Sequence, residues 1–108
     1  MDRTPQPISL AAARLLSLPP NGRKSADAFR DADIDIRFAT RPTKGPQVPH
    51  KRDEVYFVAS GSGRYQVDGE VTPFGPGDLL FAAAHAPHGF EDYTDDLAIW
   101  IVFYGPEK

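Results

Sequence analysis

Eleven prolines and nine glycines punctuate this chain of 108 residues, and they recur so often that no long helix fits between them. Each interruption favours a turn, so the chain must fold from short extended pieces, which makes it mainly β. Gly61-Ser62-Gly63 reads as a turn, Asp68-Gly69 as a hairpin turn that needs positive φ, and Gly75-Pro76-Gly77-Asp78 as another turn. The segments between and beyond them are predicted strands: Arg64 to Val67, Glu70 to Phe74, Leu79 to Ala83, His88 to Tyr93 and Leu97 to Tyr104. Short strands at regular spacing point to a sandwich or barrel.

Upstream, Ile34 to Thr40 alternates apolar and polar with period two, the pattern of a half-buried strand. Pro42, Gly45 and Pro46 interrupt it. Glu54 to Ser60 is rich in Val, Tyr and Phe on both faces and reads as a strand buried on both sides. The aromatic residues, Phe57 and Phe81 among them, are assigned mostly to the core, and Asn21 to Ala28 to a polar turn.

Near the start, residues 1–8 read as a loose tail. Ser9 is a good N-cap for the helix formers that follow it, and Pro19-Pro20 stops the helix. About nine helical residues are not stable alone, so Leu10, Leu15, Leu16 and Leu18 are expected to dock on the barrel or on a second subunit. The division expected is an N-terminal arm over residues 1–30 and a single barrel domain over 31–108.

Composition removes several classes of function. The net charge is −3 with scattered basic residues, which gives no footprint for nucleic acid. The chain has no cysteine, so disulfides, thiolate-bound zinc and thiol nucleophiles are excluded. No window approaches the roughly 20 apolar residues of a membrane span, and no secretory leader is evident. The expectation is a soluble, cytoplasmic protein that engages neither membrane nor nucleic acid.

Chemistry is concentrated in three histidines, His50, His85 and His88, in two clusters. His50 stands four residues before Glu54, across Lys51-Arg52-Asp53. In one extended strand the two would lie about 13 Å apart, too far to share an ion that each ligand must approach to roughly 2 Å. Either the triplet is a turn that folds them together or they do not share a site. Ser60, His85 and Asp95 are the residue types of a hydrolytic triad, but their spacing resembles no nucleophile elbow.

The pattern resembles the cupin superfamily, small β-barrels marked by two motifs. The first, G-x5-H-x-H-x3-E-x6-G, matches at His50, Glu54 and Gly61, with Val48 where the first histidine would stand and Pro42 at the leading glycine. The second, G-x5-P-x-G-x2-H-x3-N, matches at Gly77 and His88, with Ala83, His85 and Asp92 in the remaining places. The resemblance covers roughly residues 33–104 and implies a cupin double-stranded β-helix, a jelly-roll-like barrel, behind a short N-terminal helix or arm.

It also implies a metal site. Carried across residue by residue, the retained ligands are His50, Glu54 and His88, with a turn between the first two. Two imidazoles and a carboxylate suit non-haem Fe(II) or zinc, with Mn and Ni also compatible, so the expected cofactor is a divalent transition metal. Val48 cannot ligate, and strand alternation would turn its neighbour Gln47 to the opposite face. His85 reads as a surface residue at the barrel mouth. Asp92 reads either as an imidazole-orienting group or as a strand-end residue facing water. The functions implied are a metal enzyme acting on a small organic molecule, dioxygenation foremost with isomerase or lyase chemistry behind it, or a non-catalytic binding or sensor barrel. No catalytic residue beyond the ligands is identified. A homodimer is expected, because the helix leaves apolar residues in want of a partner.

Overall fold

The computed structural model describes residues 6–108; the first part of the tail expected over residues 1–8 lies outside the described residues. Two antiparallel sheets face each other. The larger has the order β1 (Ala26–Asp31), β2 (Ile34–Ala39), β9 (Ala98–Tyr104), β4 (Asp53–Ser60) and β7 (Leu79–Ala82). The smaller has the order β3 (Gly45–Gln47), β8 (His88–Tyr93), β5 (Gly63–Val67) and β6 (Glu70–Phe74). This is the expected all-β barrel, and the turn residues account for its hairpins. Asp68 and Gly69 both take positive φ, 51° and 83°, as the tight β5–β6 connection requires.

Between the sheets, alternate residues of each strand interdigitate. Tyr56, Val58, Leu80, Ile99 and Ile101 from the larger sheet meet Tyr65, Phe74 and Phe90 from the smaller. Phe90 is fully buried and makes edge or tilted ring contacts with Tyr56, Tyr65 and Phe74 at 5.3–5.7 Å. Burying each such ring is worth roughly 1.5–3 kcal/mol, so this aromatic group ties the two sheets together.

The sequence expectations need four corrections. The helix α1 is a single turn, Leu10–Ala13, and not nine residues. Ser9 does cap it, its hydroxyl accepting from Ala12 N at 3.0 Å, but only Leu10 and Ala13 dock, against Phe38, Ala98 and Trp100. Leu15 is 85% exposed, and Leu18 is also exposed. The turn expected over Asn21 to Ala28 gives way at Ala26 to β1, an edge strand that begins inside the segment read as the arm. Pro46, read as an interruption, lies within β3, which a short edge strand tolerates. Finally, β4 is buried on one face only: Glu54, Tyr56 and Val58 point inward, while Phe57 is exposed, as are Leu79 and Phe81 on β7.

Two glycines show where the packing forbids a side chain. A Cβ on Gly89 would lie 2.1 Å from the Gly45 carbonyl oxygen, so β3 can ride on β8 only because nothing projects there. Gly61, at the end of β4, has φ +84°, and a Cβ there would lie 2.6 Å from Leu97 Cα. Both conformation and space demand glycine. Gly61→Ala is predicted to destabilise the fold by about 2–4 kcal/mol, read as a lowered urea midpoint with unchanged slope.

Candidate metal centre

Glu54 is the second residue of β4 and His88 the first of β8, so they approach from opposite sheets. Both are almost fully buried, 2% and 1% exposed. His50 arrives from the segment between β3 and β4, where the chain bends at Lys51 and Arg52 before entering the strand. The turn alternative posed by the spacing is therefore the one the fold adopts. His50 Nε2 lies 3.8 Å from Glu54 Oε1, and His88 Nε2 lies 3.0 Å from the same oxygen. One ligand atom from each of the three residues falls within 4.8 Å of the others. This group can hold a metal ion.

The donor chemistry supports that fit. His88 Nδ1 lies 2.9 Å from the Ala86 carbonyl oxygen, and a carbonyl can only accept, so Nδ1 carries a proton. In the neutral ring Nε2 is then a lone pair, and it faces a carboxylate oxygen at 3.0 Å. Two acceptors in that arrangement repel unless a cation sits between them, either a proton or a metal. The contact is not aligned as a hydrogen bond: Glu54 Oε1 and His88 Nε2 are buried without a hydrogen-bond partner among the described residues. Tyr56 Oη is in the same position.

Electrostatics follow from the same contacts. Burial alone would lower His88, but the Glu54 carboxylate and the Ala86 carbonyl outweigh it and raise its pKa above the ordinary histidine value. For His50 burial prevails over the attraction of Glu54, and His88 and Arg37 push the same way, so its pKa is lowered and its ring is neutral at neutral pH. Burial and the nearby Glu54 hold the Tyr56 hydroxyl well above its ordinary value, so it keeps its proton.

Other candidate residues fall elsewhere. Asp92 pairs with Arg64 at 2.7 Å and does not orient an imidazole; the Ala86 carbonyl takes that place. His85 is exposed at the mouth, as expected, and adopts φ +68°. Its N–H donates to the His50 carbonyl at 2.7 Å and its ring contacts the Lys108 carbonyl. Ser60 donates to the Asp96 carbonyl, so Ser60, His85 and Asp95 form no triad. Val48 is 83% exposed. Gln47 differs from expectation: it pairs directly with His88 in the β3–β8 register, and opposed residues of an antiparallel pair share a face. It lines the cavity, as do Arg37 and Tyr56. None of these three was singled out as a site residue from the sequence, where the signal was limited to inward alternation on strands of unknown register.

The cavity beside the cluster measures about 420 Å³ and is walled by residues such as Ile99, Ile101, Phe90 and Phe103. The cupin domain model matches residues 36–104, a span that contains the whole cluster. The chain belongs to the cupin family. An uncharacterised protein of Streptomyces coelicolor is 38% identical over 79 residues, covering 73% of this chain and 75% of that one. Among solved structures, KdgF from Halomonas sp. superposes with a TM-score of 0.65 at 22% identity, over 77% of this chain and 80% of that one. Pac13 from Streptomyces, a nucleoside dehydratase, gives 0.60 at 16% identity over 74% and 67%. The cupin domain of an XRE family transcriptional regulator from Enterobacter cloacae gives 0.58 at 19% over 69% and 84%. At these identities the structures speak for the fold.

The raised His88 value has a measurable consequence. A proton bound between His88 and Glu54 stabilises the metal-free protein, fully below the unfolded-state value of about 6.5, and this stabilisation is lost as pH rises through the higher folded-state value. The urea midpoint of chelator-treated protein is expected to fall as pH is raised above about 6.5. In Glu54→Gln that part of the pH dependence should be much reduced.

Proposed function

We propose that this cupin binds a divalent transition metal ion through His50, Glu54 and His88 and acts with it on a small organic molecule held in the cavity. The observation that carries the reading is the convergence of His88 Nε2 and Glu54 Oε1 at 3.0 Å, buried and without a hydrogen bond. Natural proteins leave few buried polar atoms unpaired, and a missing ion is one of the standard explanations. Two histidines and one carboxylate leave positions open for ligand, which suits Fe(II) or zinc; Mn and Ni fit the same donors. The chemistry supplied by the ion is Lewis acidity towards a carbonyl or hydroxyl oxygen or, for Fe(II), oxidation by dioxygen, the reaction class we favour.

The chain's own residues have definite parts in this reading. The Ala86 carbonyl fixes the His88 tautomer that presents Nε2 to the ion. His50 stays neutral and available. Tyr56, protonated and buried beside Glu54, offers a hydroxyl proton to a ligand oxygen. Phe90, Ile99, Ile101 and Phe103 exclude water from the floor. Metal analysis of protein purified without chelator is expected to find close to one equivalent per chain. His88→Ala should reduce it at least about tenfold, and wild-type protein holding less than about a tenth of an equivalent would remove the proposal.

A second reading, a non-catalytic sensor or storage barrel, is favoured by one observation. Beyond the three ligands and Tyr56, the cavity wall holds no carboxylate or histidine among its described residues that could move a proton. The solved relatives include both a dehydratase and a regulator's domain, so the barrel favours neither. Turnover of a candidate substrate that Glu54→Ala abolishes decides for the enzyme.

The homodimer belongs to the same proposal. Phe57, Leu79 and Phe81 stand exposed together on the outer face of β4 and β7, an arrangement a lone molecule would leave in water. Light scattering at micromolar concentration is expected to give twice the chain mass, and Phe81→Glu to give the monomer.

A further inference from the structure

The cavity has a second charged feature that metal binding does not use. Arg37 lies on the inner face of β2, opposite Ile101, which in turn is opposite Tyr56; the neighbouring row across the sheet runs Asp35, Phe103, Glu54. Its guanidinium sits over the Phe103 ring at 4.8 Å, and the His50 ring meets the same phenyl ring at 5.1 Å. Phe103 therefore spaces a permanent cation from the candidate metal ligands.

One side of that guanidinium is occupied: Nη2 donates to the buried Asp35 carboxylate at 3.0 Å. The other is not. Arg37 Nε is buried and has no hydrogen-bond partner among the described residues, and the nearest carboxylate, on Asp27, is 4.0 Å away, beyond hydrogen-bonding reach. A charged N–H withdrawn from water and left without an acceptor is unfavourable, and this one belongs to a residue that lines the cavity.

The surrounding charge has the same sense. Arg23 approaches Asp27 at 2.8 Å, and Arg30 shares Asp35 with Arg37. Three arginines thus face two aspartates, and on the cavity wall Lys24 is set against the Glu54 carboxylate, which leaves one positive charge in excess. The same wall also carries hydrocarbon, from Phe90, Ile99, Ile101 and Phe103.

We infer that the cavity takes a small carboxylic acid with an apolar body, its carboxylate accepting from Arg37 Nε and its body lying against Phe103, Ile101 and Phe90. This rests on the proposed function in that both assign the cavity to the ligand. A phosphate ester fits less well, because a dianion with three terminal oxygens calls for several donors and Arg37 Nη2 is committed to Asp35.

The test is calorimetric titration of zinc-loaded and of chelator-treated protein with 3-phenylpropionate and with its neutral amide, the metal content of each preparation being measured. The acid is expected to bind roughly ten- to a hundredfold tighter than the amide. Arg37→Gln should make the two equal, and Arg37→Lys, which keeps the charge but lacks the fixed Nε–H, should recover only part of the preference. Equal binding of acid and amide by the wild type, a full preference in either variant, or displacement of the acid by an equal concentration of inorganic phosphate would overturn the inference. Should Arg37→Gln fail to fold, Arg37→Lys carries the test. Protein that holds no metal yet prefers the acid defeats the metal reading alone; protein that holds metal without any preference defeats the carboxylate inference alone.

Discussion

Glu54 and His88 come from strands in different sheets and meet at 3.0 Å with almost no exposure. Removing an ionised carboxylate from water costs several kcal/mol unless a partner compensates, and His88 compensates only with a cation, proton or metal, between the two groups. The rest of the barrel is arranged to keep the two in place nonetheless. Tyr56 and Tyr65 pack their rings within 6.2 and 6.5 Å of the His88 ring, and Phe90 locks both tyrosines from the side. Close packing of this kind cannot relax to separate the charged groups without opening the core. The fold therefore holds a buried group that can hold a metal ion.

A second set of contacts governs His50. His50 lies outside regular structure, and its position depends on ties between two loops. The His85 N–H holds the His50 carbonyl, Asp53 accepts from Ala84 N at 2.9 Å, and Lys108 bonds both the Lys51 carbonyl and the Asp53 carboxylate. Arg52 anchors the same bend to the Gly105 carbonyl at 3.0 Å. The charged triplet Lys51-Arg52-Asp53 is thus more than a solvated turn. Its members fasten the His50 bend to the loop before His88 and to Lys108.

How much of this was legible in the sequence depended on how local its cause was. The hairpins were, because Asp68-Gly69 imposes its own backbone geometry. The grouping of His50, Glu54 and His88 was, through the motif spacing of Glu54 to Gly61 and Gly77 to His88. Strand β1 was not, since Ala26–Asp31 carries little apolar alternation and owes its pairing to β2. Helix α1 stops after one turn because only Leu10 and Ala13 find a surface to dock on, and without docking the remaining leucines cannot offset the cost of ordering. Arg37 looked like the polar half of an alternating strand; only the register of β2 against β9 turns it inward.

The same dependence on register changes the meaning of Val48. A histidine two residues before His50 would share its face if both lay on one continuous strand. Here β3 ends at Gln47, and the chain passes through Val48 and Pro49 without strand pairing before it bends. Alternation fixed by β8 ends where pairing ends, so Val48 is largely exposed where it borders the cavity, and the last residue paired with β8 is Gln47, opposite His88. The residue on that face is an amide, which can donate to or accept from a ligand oxygen and adds no charge. With Gln47 and Arg37 on its wall beside His50, Glu54 and Tyr56, the cavity sets polar groups against the hydrocarbon of Phe90, Ile99, Ile101 and Phe103.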